Sequence, residues 1–102
     1  MIKRVSFKKA HRLLTEDKSI VLLDVREEEE YITGHAIDAV LFTLADINEE
    51  SAAETIPSKT TPVMVYCRSG VRSRAAAKLL DKMGYETVYD LGGLIGWPYG
   101  LE

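Results

Sequence analysis

The stretch Val63-Met64-Val65-Tyr66-Cys67-Arg68-Ser69-Gly70-Val71-Arg72-Ser73-Arg74 joins three different local patterns. Its first four residues, just after Pro62, form an uninterrupted apolar run, which suits a parallel strand buried on both faces better than a half-exposed one. The run ends at Cys67 and a short polar turn containing Gly70. Beyond it the period changes. Ala76, Leu79, Leu80 and Met83 recur at i, i+3, i+4 and i+7, which predicts a helix over 72–83, and Gly84 stands where a left-handed residue would end it.

The same alternation extends in both directions. Ile20-Val21-Leu22-Leu23 is a second continuous apolar run and leads into Asp24-Val25-Arg26, while Val40-Leu41-Phe42 and Thr87-Val88-Tyr89 are shorter strand candidates. Ser6 is placed to cap a helix with Phe7, Ala10, His11 and Leu14 on one face, and further helices are expected over 28–32 and 44–53. Glu27 to Glu30 reads as a solvated helix start, where carboxylates meet the positive end of the helix dipole. Strands alternating with helices predict an α/β domain with a mainly parallel central sheet and helices on both faces. In such sheets the functional site lies beyond the carboxyl ends of the strands, which is where Cys67 falls.

The chain has 102 residues, 46% of them hydrophobic, which suits one domain over 1–102. Its 13 Lys and Arg against 16 Asp and Glu give a formal charge of -3, which argues against a nucleic-acid partner or a polybasic membrane-binding module. The longest apolar run, Val63 to Cys67, is far short of the roughly 20 residues of a membrane span. No secretory leader follows Met1, so a cytoplasmic address is expected. There is a single cysteine, and with only His11 and His35 beside it there is no ligand set of metal-site spacing.

Cys67 is therefore either an inert buried thiol or a reactive one, and its neighbours favour the second. A strand, a tight turn and a helix N-terminus form an anion cradle, because successive backbone N–H groups there have no carbonyl partners. Arg68, Arg72 and Arg74 crowd this segment of an otherwise acidic chain. An ordinary thiol is only about 3% thiolate at pH 7, and positive neighbours with a helix N-terminus raise that fraction steeply.

Four blocks in order, Asp24-Val25-Arg26, Gly34-His35-Ala36, the Cys67 to Arg72 loop and Leu91-Gly92-Gly93-Leu94-Ile95-Gly96-Trp97, make the chain resemble the rhodanese-like sulfurtransferase domains over nearly its whole length. The resemblance implies a rhodanese-like three-layer fold. It also implies a cysteine that takes sulfane sulfur from thiosulfate or a similar donor, becomes a persulfide, and passes the sulfur to cyanide or a thiol, with no cofactor and no metal. The related cell-cycle phosphatases carry one residue more in this loop. Here Arg72 follows Cys67 after four intervening residues and position 73 is Ser, which sets sulfur chemistry ahead of a phosphatase or arsenate reductase. After the Gly-His pair, members commonly read Ile-Pro-Gly-Ala, whereas this chain has Ala36-Ile37-Asp38-Ala39; Asp38 tolerates the left-handed backbone that such a turn needs.

Roles follow from these readings. Cys67 is the expected nucleophile and sulfur carrier. Arg68 and Arg72 are expected to bind the anionic donor, either of them otherwise pairing with a surface Glu. Backbone amides from Arg68 through Ser69, Gly70 and Val71 to Arg72 are expected to supply donors, and the Ser69 and Ser73 hydroxyls to assist, or Ser73 to cap the following helix. Asp24 is expected to orient an arginine or to satisfy backbone donors in its turn, and Arg26 to pair with a carboxylate such as Glu30. His35 is a general acid-base candidate by its titration range, but its place in the Gly-His turn favours a structural hydrogen bond. His11 reads as packing or interface, and Trp97 as a ring closing the core. Leu101-Glu102 reads as native chain or as an appended remnant. The partners expected are a small anionic sulfur donor and a thiol or cyanide acceptor. A persulfide relay serving a partner protein is the second reading.

Overall fold

The computed structural model describes residues 1–102. Five strands, β1 (Ile2–Arg4), β2 (Val21–Asp24), β3 (Val40–Leu41), β4 (Val63–Cys67) and β5 (Val88–Gly93), form one sheet in the order β1-β5-β4-β2-β3. Every pairing is parallel. Four α-helices connect them: α1 (Phe7–Glu16), α2 (Glu28–Thr33), α3 (Glu49–Thr55) and α4 (Val71–Lys82).

β4 lies at the centre and all five of its residues are buried. Side chains alternate across a strand. Val63, Val65 and Cys67 therefore join Ala52 of α3 and Ala76, Ala77 and Leu80 of α4 in one apolar cluster. Met64 and Tyr66 join Ala10 of α1, Leu22 and Leu91 in a second. A central strand facing helices on both sides has no polar face to show, which is why its run is uninterrupted. Each fully buried aliphatic here contributes about 1.5–3 kcal/mol relative to exposure.

Three elements depart from the sequence reading. β1 was not expected: it is a three-residue edge strand with two exposed residues, and its ladder to β5 rests on backbone pairing rather than on an apolar run. The helix expected over 44–53 is broken. A 3-10 turn at Leu44–Asp46 precedes α3, which starts where the Asn48 side chain accepts from Ser51 N–H and Ser51 Oγ accepts from Asn48 N–H, each at 2.9 Å. β5 extends past the expected 87–89 to Gly93, because its register against β4 slips between Val65 and Tyr66 and so sets Gly93 beside Cys67.

Asp38 adopts the left-handed backbone expected of it, with φ 70°. Leu101 bridges Ala36, and Glu102 exchanges backbone hydrogen bonds with His35 at 2.8 and 3.0 Å, so the last two residues pack on the Gly-His turn. No helix is long and apolar enough to cross a membrane.

Candidate active site

Cys67 ends β4, and the chain turns through residues 68–70 into α4. Gly70 is the N-cap of α4 and has φ 104°, a left-handed conformation that costs glycine nothing. That turn brings Gly70 N–H to 3.0 Å from Cys67 Sγ. Ser73, fully buried, sits one turn into α4, and its hydroxyl reaches the Gly70 carbonyl at 3.1 Å. It is not the cap of the helix, contrary to one reading of the sequence, because Gly70 holds that place with no side-chain cap.

Burial pushes the Cys67 thiol up, but the N–H groups of Ser73, Gly70 and Ser69 and the Ser73 hydroxyl outweigh it, and the thiol titrates below its ordinary value. The arginine charges invoked from the sequence are not the leading cause. The Ser73 hydroxyl has one proton for two acceptors, the Gly70 carbonyl and the sulfur, and a thiolate draws it more strongly than a thiol does.

Arg72 grips Glu30 through two bonds, Nη1 to Oε1 at 2.6 Å and Nη2 to Oε2 at 3.0 Å. Glu30 Oε1 also accepts from Glu27 N–H at 3.0 Å, in the capping box of α2. The Arg72 bond, followed by the backbone bond to Glu27, brings the Glu30 carboxyl down to about 2. Arg72 is raised in turn, first by Glu30, with the charge of Cys67 contributing, so the guanidinium lies within electrostatic range of the sulfur. Arg68 and Arg74 are exposed, and neither is in an ion pair.

The expected pairing of Arg26 with Glu30 does not occur. Arg26 turns to Asp24, with Nε 3.0 Å from Oδ1 and Nη2 2.7 Å from Oδ2. Asp24 is fully buried at the end of β2 and needs a cation and donors close at hand, whereas Glu30 is part-exposed and already held by Arg72. Asp24 fills both roles considered for it, since Oδ1 also accepts from Arg26 N–H at 3.0 Å. Tyr66 hydroxyl donates to Asp24 Oδ2 at 2.6 Å and accepts from Ala36 N–H at 3.1 Å, while Arg26 Nη2 donates to Gly34 O at 2.7 Å. The network thus fastens the Gly34-His35-Ala36 turn to β2 and β4. Burial, with Asp24 adding to it, raises Tyr66 beyond any working pH, so its proton stays on the hydroxyl.

His35 holds the structural place. Its Nδ1 lies 2.9 Å from Tyr31 O, and its ring stacks on Tyr31 at 3.7 Å. His11 stacks on Tyr99 at 3.8 Å, and Trp97 meets Phe7 edge-on at 5.3 Å.

Gly93 supports the loop but stood outside the site residues read from the sequence. A Cβ on it would lie 2.6 Å from Arg68 O and 2.9 Å from Ser69 Cα, so no larger residue fits. The next residue ties down the same turn: Leu94 N–H donates to Cys67 O at 2.9 Å and Arg68 O at 3.1 Å. The signal in the sequence was the Gly92-Gly93 pair. Two hollows, each about 260 Å³, flank the loop. One is lined by Arg26, Glu30, Arg68, Leu94, Ile95 and Leu101, and the other by Arg4, Ser69, Gly70, Val71 and Arg74. A larger hollow of about 430 Å³ lies between α1 and the β3 edge, around Leu14, Ile37 and Val40, and touches none of the loop.

Known proteins are similar to this chain in sequence and in fold. YtwF of Bacillus subtilis, whose name assigns it provisionally to the sulfurtransferases, is 36% identical over 96 residues, covering 94% of this chain and 90% of that protein. The tRNA uridine(34) hydroxylase of Chlamydia felis is 37% identical over 105 residues, 97% of this chain but only 32% of the hydroxylase. Among solved structures, the rhodanese-like domain of Alr3790 from Anabaena superposes with a TM-score of 0.85 at 24% identity, over 100% of this chain and 80% of that one. A rhodanese from E. coli solved with anions gives 0.74 at 32% identity, over 81% of this chain and 96% of its own. The rhodanese-like domain family itself matches residues 6–98. With the thiol loop, the parallel sheet and this match in agreement, the chain belongs to the rhodanese-like domain family.

Proposed function

We propose that the protein transfers sulfane sulfur from thiosulfate or a similar anionic donor to cyanide or a thiol acceptor through a persulfide on Cys67. The observation that carries this reading is the cradle of N–H groups around Sγ, with Gly70 N at 3.0 Å, which lowers the thiol's titration and favours the thiolate. The thiolate attacks the outer sulfur of thiosulfate, the donor's S–S bond breaks, and sulfite leaves with the electron pair. The terminal sulfur of the Cys67 persulfide then carries the negative charge that the same donors stabilise. An acceptor thiolate or cyanide attacks that sulfur, and the Cys67 thiolate is the leaving group. There is one cysteine in the chain, so no second thiol of this sequence takes the sulfur off in cis.

Arg68 and Arg74, unpaired on the two hollows that flank the loop, are guanidiniums free to meet the donor, while Arg72 is already engaged by Glu30. Exposed Ile95 and Leu101 beside Arg68 favour a second reading, delivery to a thiol on a partner protein. Thiocyanate formation from thiosulfate and cyanide tests the first reading: Cys67→Ser is expected to abolish it, together with the mass gain of one sulfur on the treated protein. Turnover unchanged in Cys67→Ser would overturn the assignment.

A further inference from the structure

The hollow that borders the loop at Arg68 has an uneven charge balance. Arg26 faces it with its charge answered by Asp24, and Glu30 faces it while holding Arg72. Arg68 alone brings an uncommitted charge. One free positive charge suits a singly charged donor. A dianion brings a second charge, and in this hollow that charge meets the Glu30 carboxylate or competes with it for Arg72. Glu30 does not yield easily. Two bonds from Arg72 and a third from Glu27 N–H fix its head, and its side chain is 29% exposed.

Building on the sulfurtransferase reading, we infer that Glu30 sets the donor preference of the site, occupying the Arg72 guanidinium and adding its own negative charge beside the loop, and so discriminating against small dianionic donors such as thiosulfate in favour of singly charged ones. Glu30 acts through Arg72 and through its own field. It is a positioning residue rather than one that touches the reacting sulfur.

Two donors with the same reacting sulfur and one unit of charge between them separate this idea from a structural role. Thiosulfate gives the Cys67 persulfide and sulfite; methanethiosulfonate gives the same persulfide and methanesulfinate, with the S–S bond breaking in the same sense. Glu30→Gln keeps the side chain's length and its acceptor for Glu27 N–H while removing the charge. The KM for thiosulfate is expected to fall about fivefold in Glu30→Gln and that for methanethiosulfonate to change by about twofold or less, with kcat for both moving together. A thiosulfate KM that stays the same or rises, or KM values that move by one common factor, would overturn the inference.

A measurement without turnover keeps this separate from the proposed activity. Sulfate is a dianion that cannot donate sulfur, and its protection of Cys67 against iodoacetamide reports anion occupancy beside the thiol. The sulfate concentration giving half-protection is expected to fall about fivefold in Glu30→Gln. Should neither donor turn over, the sulfurtransferase reading fails and sulfate protection alone decides: a lowered half-protection concentration upholds the role of Glu30, and an unchanged one ends it.

Discussion

Gly93 lies so close under the thiol loop that a Cβ on it would stand 2.6 Å from the carbonyl oxygen of Arg68. The contact is backbone against backbone, so neither side has a flexible end to swing away. Gly93→Ala is therefore expected to lose about 1–3 kcal/mol of stability, as overpacking of a tight site does. It also displaces the turn that carries Gly70 N–H, so Cys67 alkylation at neutral pH should slow. Urea unfolding and iodoacetamide kinetics on the same variant check both parts; wild-type values in the two would show slack in the turn.

The thiol's low titration has an ordered set of causes, and the order can be tested. Burial opposes it; the backbone donors and the Ser73 hydroxyl prevail. Ser73→Ala removes one donor, so the alkylation profile should shift to higher pH, with the rate at pH 7 reduced about two- to fivefold, the worth of one neutral hydrogen bond. Arg72→Gln should shift it less, because Glu30 already offsets that charge. The reverse ranking would restore the arginines as the main source.

The strand and the loop were legible for local reasons. Val63–Cys67 is apolar throughout because the strand is covered on both faces, and Gly70 followed by a 3.6-residue period marks the turn into α4. What escaped depends on residues far apart in the chain. Arg72 and Glu30 are separated by 42 positions, and local spacing instead offered Arg26, four residues from Glu30, as the partner. Tyr66 and Asp24 are also 42 positions apart, and an apolar run gives no sign that its tyrosine holds a buried carboxylate. β1 exists because β5 offers a backbone edge to Ile2–Arg4, which no pattern within three residues can announce.

The buried Asp24–Arg26 pair makes a prediction about stability rather than chemistry. Asp24 is fully buried, and removing it leaves Arg26, 9% exposed, with the Gly34 carbonyl as its one remaining hydrogen-bond acceptor. Asp24→Ala is expected to cost about 3–5 kcal/mol, the range for stripping one partner from a buried pair. Tyr66 and Ala36 N–H lose their anchor in the same step, so the Gly34-His35-Ala36 turn should show raised hydrogen exchange. A loss under about 1 kcal/mol would mean that water reaches Arg26 freely.

Acid should dissolve the Glu30–Arg72 contribution in a defined window. The folded carboxyl lies at about 2, and an unfolded glutamate titrates near about 4.3. At pH 7 both states are ionised and the pair's stabilisation is complete. As pH falls below about 4.3 the unfolded chain takes up a proton that the folded one refuses, so stability declines, and the contribution is gone once the pH passes below the folded value. The pair is part-exposed, so its worth after solvent screening is about 1 kcal/mol. Wild type should therefore exceed Glu30→Gln by about that amount at pH 7, with the gap closing between pH 4 and 2 and shrinking in high salt. Thermal unfolding of both proteins across that range measures the gap directly; one that held constant down to pH 2 would show that the ion pair does not stabilise the fold through its charge.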